Sequence, residues 1–332
     1  MTALDTTVDL SPWRQFPPIP DQLGVAAAFA GVSDGTLLVA GGANFPDRMP
    51  WEGGQKVWHD RIWALEAPHG NWREAGKLPR PLGYGVSVSQ GGGLVCAGGS
   101  DSQQHSAETF RLVWKDRVLS VEALQPLPIA VSAASGALVG DVLIIACGMQ
   151  QPGEQAATNR VFALDFSAKN PAWNELPPLP AAPRIFATAA VYEGVFYLFG
   201  GAALTVGANR KIARVYTREA WSYRAKQGWK RLSDLPKPVA AAPSPAPVKD
   251  GCALLVGGDD GSRVGFTPLE KHPGFPATII AYDIANNTWI DAGEAPAPRA
   301  TLPVVEWHGA FVFPSGEVRP GIRSPEVWCY KK

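Results

Sequence analysis

Near its C-terminus the chain reads Phe313-Pro-Ser-Gly-Glu-Val-Arg-Pro-Gly-Ile-Arg323, which sets a carboxylate, Glu317, directly after a glycine turn with Arg319 and Arg323 close behind. A carboxyl partly withdrawn from water beside fixed positive charge can both take and return a proton near neutrality, as general acid–base chemistry on a hydroxyl requires. The same residues would also serve as a buried Glu–Arg brace for the loop, so the meaning of the triad depends on what holds it. Other chemistries lack their parts. His59, His69, His105, His272 and His308 are scattered singly, without an H-E-x-x-H spacing, so no metal site is expected. No G-x-S-x-G elbow, P-loop or dinucleotide fingerprint occurs, and no cofactor is expected.

The elements that must position the triad follow from composition and repetition. Of 332 residues, 46% are hydrophobic and 18% charged, with 35 glycines, 31 prolines and 12 tryptophans spread along the whole chain. Such a supply of turn formers suits many short strands rather than helices. Apolar runs ending in glycine recur at Leu37–Gly42, Leu94–Gly99, Ile144–Gly148, Phe196–Gly201, Leu254–Gly258 and Phe311–Gly316, roughly 55 residues apart. A second marker keeps phase with the first: Trp13, Trp72, Val121 in place of Trp, Trp173, Trp229 and Trp289. Between the two lie a proline-rich turn and a strand of alternating small and apolar residues, such as Ala187–Tyr192.

Six four-stranded units arranged radially make an all-β, six-bladed propeller, here expected as a single domain over residues 1–332. The pattern resembles kelch repeats. Because the chain opens on a Trp strand and ends on Val327–Tyr330 with no Trp strand after it, the N-terminal strand should join the C-terminal blade and remove two open edges. Two connections are longer than the rest, 43–60 and 259–275, and both follow a glycine turn, as Glu317 does. In an up-and-down blade the connections after the glycine strand and the Trp strand emerge on one face. That face should gather Asn44, Asp101, Gln150, Asp259 and Glu317 from the glycine turns, and Arg184 and Arg299 from the proline turns. Such a funnel suits an anionic, hydroxyl-rich small molecule.

Lys+Arg and Asp+Glu each total 30, so the net charge is zero, and no basic cluster interleaves with aromatics. No nucleic acid partner is expected. The stretch Met1–Leu10 lacks a basic segment followed by an apolar run, and nowhere do about 18 apolar residues follow one another, so no membrane association and a cytoplasmic location are expected. Cys96, Cys147, Cys252 and Cys329 sit in apolar runs without C-x-x-C spacing, as small buried hydrophobes in a reducing compartment would. The oligomeric state is left open.

The loop Gly316-Glu-Val-Arg-Pro-Gly-Ile-Arg323 resembles the G-E-x-x-P-G-x-R loop of the sialic acid mutarotases (N-acetylneuraminate epimerases), six-bladed kelch propellers. The likeness extends to Leu38–Phe45 with the insertion after it, to Gly83-Tyr-Gly-Val-Ser87 and to Pro183-Arg184. It implies a cofactor-free isomerase acting on the anomers of N-acetylneuraminate or a related acidic sugar. Glu317 would be the acid/base, and Arg323 would hold the sugar carboxylate or stabilise charge on oxygen. Asn44, Arg184, Arg319 and Asp259 would contact substrate. The blade order, with this loop last, resembles a cyclically permuted branch. Leu82 stands where the family has an arginine, a change bearing on substrate. The competing reading is a non-enzymatic kelch platform for protein partners, which would present a broad exposed patch rather than a funnel with Glu317 at its base. A radical-copper oxidase would need histidines at the axis, and no glycine turn carries one.

Overall fold

The computed structural model describes residues 12–152, 156–207 and 212–332; the stretch Met1–Leu10 lies outside them. Six four-stranded antiparallel sheets follow one another along the chain. From the axis outward, blade 1 is Phe29–Ser33, Thr36–Ala40, Arg61–Leu65 and Arg73–Lys77. Blade 2 is Val86–Gln90, Gly93–Ala97, Thr109–Lys115 and Val118–Leu124. Blade 3 is Ser135–Val139, Val142–Ala146, Val161–Asp165 and Trp173–Leu176. Blade 4 is Thr188–Tyr192, Val195–Phe199, Ala220–Arg224 and Gly228–Arg231. Blade 5 is Val248–Lys249, Cys252–Val256, Thr278–Asp283 and Thr288–Glu294. Blade 6 is Val305–Trp307, Ala310–Pro314 and Val327–Lys331, completed by Trp13–Phe16 from the other end of the chain. Trp13 pairs with Tyr330 and Phe16 with Val327, so the ring closes as the repeat phase requires.

The apolar glycine strands are buried on both faces, which puts the core between blades rather than within them. Leu37, Val39 and Leu65 of blade 1 pack on Val305, Val312 and Val327 of blade 6, and the other junctions repeat this theme. The tryptophans explain their own periodicity. Four of the five stand on or beside an outermost strand and donate the indole N–H to a carbonyl of the preceding blade's outer edge: Trp72 to Pro17 (2.7 Å), Trp173 to Gln125, Trp229 to Pro177 and Trp289 to Ser233 (2.9 Å each). The glycine turns explain theirs. A Cβ on Gly41 (φ +65°) would lie 2.2 Å from Leu82 O, and one on Gly200 (φ +58°) 2.1 Å from Val239 O, so each turn is pressed onto the proline turn of the next blade.

At the axis the blades are linked by a closed ring of backbone hydrogen bonds. Ala27 N–H donates to Thr301 O (2.7 Å), Tyr84 to Ala27 (2.9 Å), Ala133 to Tyr84 (2.9 Å), Phe186 to Ala133 (3.0 Å), Ala241 to Phe186 (2.8 Å) and Thr301 to Ala241 (2.7 Å). All six residues are left-handed, with φ between 54° and 63°. Six non-glycine residues in that region carry a conformational cost, and the ring of bonds is what holds them there.

Three connections, not two, are long. Besides the insertions after Gly42 and Gly258, blade 4 carries a hairpin, Ala202–Val206 paired with Ile212–Tyr216, on the same face. Among the described residues no helix is long and apolar enough to cross a membrane.

Candidate active site

A short hairpin builds the centre of the site. Glu317–Arg319 pairs with Ile322–Arg323, and Glu317 lies directly opposite Arg323. The corner is Pro320-Gly321, with Gly321 at φ +85°, the conformation a proline-led turn demands of its next residue. A Cβ there would also meet the Pro50 ring at 2.8 Å. Gly321 N–H donates to Glu317 Oε1 at 2.9 Å, fixing the carboxylate. Arg323 Nη1 stands 3.2 Å from the same oxygen. Its Nε donates to Ala43 O (3.3 Å), and its guanidinium carbon lies 4.9 Å from the centre of the Phe45 ring. Arg323 is buried, yet Nη1 is not aligned as a donor to Glu317 and has no hydrogen-bond acceptor among the described residues.

A register shift between Glu317 and Arg319 re-aims the second arginine. Arg319 Nη1 donates to Glu270 O (3.0 Å) and reaches His272 O (3.5 Å), tying the hairpin to the 259–275 insertion. It braces the loop and does not border the cavity.

That cavity, about 230 Å³, opens over the axial ring and is lined by Glu317, Arg323, Asp259, Lys56, Tyr84 and Tyr216, among others. Asp259 accepts from Gly261 N–H (3.0 Å) and from the Tyr216 hydroxyl (2.5 Å). Burial first, and the hydrogen bond to Asp259 second, push the Tyr216 phenol up to about 12, with Arg214 acting the other way. Lys56 Nζ donates to Tyr84 Oη (3.1 Å). A larger cavity, about 620 Å³, lies at the opposite mouth, where Glu193, Asp250 and Glu306 gather and Lys332 is held by Glu306 at 2.6 Å. Acidic and without an arginine, that mouth is unsuited to an anion.

The structure thus brings Glu317, Arg323 and Asp259 together and separates three other expected contacts from them. Arg319 is one. Asn44 is buried, with Nδ2 donating to Gly24 O (2.9 Å) and Oδ1 lying 2.8 Å from His59 Nε2. Arg184 is buried between turns, donating to Ala182 O (3.1 Å), to Gly200 O (3.2 Å) and to the Glu219 carboxylate. Arg299 repeats this brace in blade 6, on Ser315 O (2.6 Å) and Glu326 (2.5 Å). Leu82, buried in a hydrophobic cluster, takes the corresponding place in blade 2. It replaces a brace, not a substrate contact.

The reason for Asn44 is a one-residue offset. The bridges Ala26–Ala43, Gly83–Ser100, Ser132–Met149, Ile185–Ala202, Ala240–Asp259 and Ala300–Glu317 make Ala43, Ser100 and Met149 the counterparts of Asp259 and Glu317. Asn44, Asp101 and Gln150 are each one residue further on, where an extended chain turns the side chain the other way.

Residues 7–121 match the family model described as N-acetylneuraminate epimerase. The chain is 43% identical to the N-acetylneuraminate epimerase of Salmonella enteritidis PT4 over 101 residues, 27% of this chain and 26% of that protein. It is 40% identical to that of Brucella suis over 124 residues, 34% of this chain and 31% of that protein. The matches therefore span about a third or less of those relatives. The solved structure of YjhT shares the fold, with a TM-score of 0.70 over 95% of this chain and 97% of that one at 15% identity.

Proposed function

We propose that this chain, acting as one domain over residues 1–332, is a mutarotase that interconverts the anomers of N-acetylneuraminate or a related acidic sugar. The observation that carries the reading is the pairing at the cavity floor: a carboxylate fixed by Gly321 N–H, facing a buried guanidinium whose Nη1 has no aligned acceptor. A buried donor without a partner is costly, and a substrate oxygen would supply what it lacks. The names of the relatives matched by the first third of the chain support the sugar. That the match stops before the Glu317 loop fits a cyclically permuted order of blades. Four unpaired cysteines, three of them buried, support a reducing, cytoplasmic setting.

In the reaction Glu317 takes the proton of the anomeric hydroxyl as the bond from the anomeric carbon to the ring oxygen breaks. The ring oxygen leaves with that electron pair, stabilised by Arg323, and takes up the proton that Glu317 accepted, giving the open-chain keto acid and restoring the carboxylate. Rotation about the bond to the keto carbon and reclosure on its other face, with the proton steps reversed, give the other anomer. No net proton, electron or cofactor is consumed.

Saturation-transfer NMR of N-acetylneuraminate with wild type and Glu317→Gln tests this. Faster anomer exchange with wild type and not with the folded variant is expected. Exchange equal to buffer with both, for this and other acidic sugars, would overturn it in favour of a binding platform.

A further inference from the structure

The cavity is polarised across the ring. Lys56 comes from the insertion of blade 1, and Tyr84 from the entrance to blade 2; Tyr216 belongs to the hairpin of blade 4, and Asp259 follows the glycine turn of blade 5. In a six-membered ring blades 1 and 4 are opposite, as are 2 and 5. Glu317, in blade 6, lies between blades 5 and 1.

The two poles offer opposite hydrogen-bonding character. Among the described residues the Lys56 ammonium has one hydrogen-bond acceptor, Tyr84 Oη, and no carboxylate within ion-pair distance. Its Nζ also lies over the Trp58 and Tyr84 rings, 5.4 and 4.9 Å from their centres, contacts that use no hydrogen-bond acceptor, and Tyr84, having accepted, can still donate its own O–H. At the other pole the Tyr216 O–H is already given to Asp259, so that pair presents only oxygen lone pairs to the cavity. Of the other two cations there, Arg323 faces Glu317 and is balanced by it, while Arg214 is exposed and lies over the Phe186 ring at 5.7 Å. Lys56 is half-buried, which strengthens a charge pair made there.

We propose that Lys56 and Tyr84 form the anchor for the substrate carboxylate, while Asp259, held by Tyr216, receives the hydroxyl or amide N–H groups at the far end of the sugar. This deepens the mutarotase reading and rests on it. In an acidic ketose the carboxylate is bonded to the anomeric carbon, so anchoring it at blades 1 and 2 presents that carbon to blade 6, where Glu317 stands. The neutral part of the molecule then extends towards blades 4 and 5. Arg323 is left free for the oxygen on which charge develops.

The test compares N-acetylneuraminate with its C1 carboxamide, by anomer exchange and by calorimetric titration, on wild type, Lys56→Met and Tyr84→Phe. Losing a charge-assisted contact raises KM and Kd for the acid by about 10- to 100-fold in Lys56→Met. Tyr84→Phe raises them less, kcat changes little, and the preference for acid over carboxamide disappears with Lys56. If wild type accelerates exchange but Lys56→Met leaves KM for the acid unchanged, or weakens acid and carboxamide equally, the anchor is wrong and the mutarotase reading stands. If wild type binds the acid in a Lys56-dependent way without accelerating exchange, the anchor stands and the mutarotase reading falls. If wild type neither binds nor turns over either compound, both fall. Tyr84→Phe keeps the backbone of the axial ring and covers the case in which Lys56→Met fails to fold.

Discussion

Arg184 and Arg323 are buried to similar depth, 1% and 8% exposed, and each faces a glutamate, yet their hydrogen bonding separates them. Every nitrogen of the Arg184 guanidinium has an acceptor, two of them backbone carbonyls, and Glu219 completes the set. Burial resists ionisation of Glu219, but Arg184 outweighs it and holds the carboxyl below its usual range. Arg323 instead leaves Nη1 without an aligned partner at the edge of a cavity. Burial and residue type are therefore poor guides to function in this ring; donor accounting separates these two arginines, while Arg299, whose Nε also has no acceptor, is told from Arg323 by the cavity that only Arg323 borders.

The contrast can be broken, and the largest effect is expected at Glu317. Glu317→Gln preserves the acceptor for Gly321 N–H but removes the base, so anomer exchange should fall about 10²- to 10⁴-fold with little change in melting temperature, both read on one preparation. Arg323→Met should lower kcat about 10²- to 10³-fold. Its effect on stability should be smaller than that of Arg184→Met, because fewer acceptors are left unpaired. Arg184→Met inverts the pattern. It strands Gly200 O and Ala182 O, and denaturant unfolding should show a loss of about 2–4 kcal/mol, with kcat/KM of the folded protein unchanged.

The smallest effect sharpens the other side of the cavity. The Tyr216 phenol titrates at about 12 in the folded protein, against about 10 in an unfolded chain. Between those values the unfolded state has lost a proton the folded state retains. Its contribution is thus complete below about pH 10 and is lost as pH rises to about 12. Tyr216→Phe should reduce that alkaline loss in unfolding titrations, leaving the part due to other groups that burial raises, among them Tyr282 and Cys147, each to about 12.

The six blades, their order and the closure by Trp13–Phe16 were legible because glycine turns and tryptophans recur in phase, each for a steric or hydrogen-bonding reason now visible. Glu317 and Arg323 were legible as candidates because a carboxylate directly after a glycine turn is followed by arginines; their facing one another depends on the register shift after Glu317, since the Pro-Gly corner by itself sets Arg319 against Ile322. Asn44, expected as a substrate contact, stands off the cavity lining: a glycine doublet can be counted from either member, and blades 3 and 6 have only one glycine there, preceded by left-handed Cys147 and Ser315. Arg319, also expected there, is turned off the lining by that register shift, which leaves no mark on residue types. Lys56 and Tyr216 were missed because both arrive on insertions whose path no repeat dictates. Tyr84 had a signal, since it and Phe186 occupy the same place in their repeats, just after the residue that bridges to the glycine turn.

The closed hoop of six backbone links frames the narrow end of the cavity, where Tyr84, Phe186, Ala241 and Thr301 border both it and a smaller cavity. Because each link is a backbone bond, exchanging any of the six side chains leaves the links themselves in place. The ring thus separates a fixed scaffold from the side chains borne on it, which could change from one relative to another without the hoop opening.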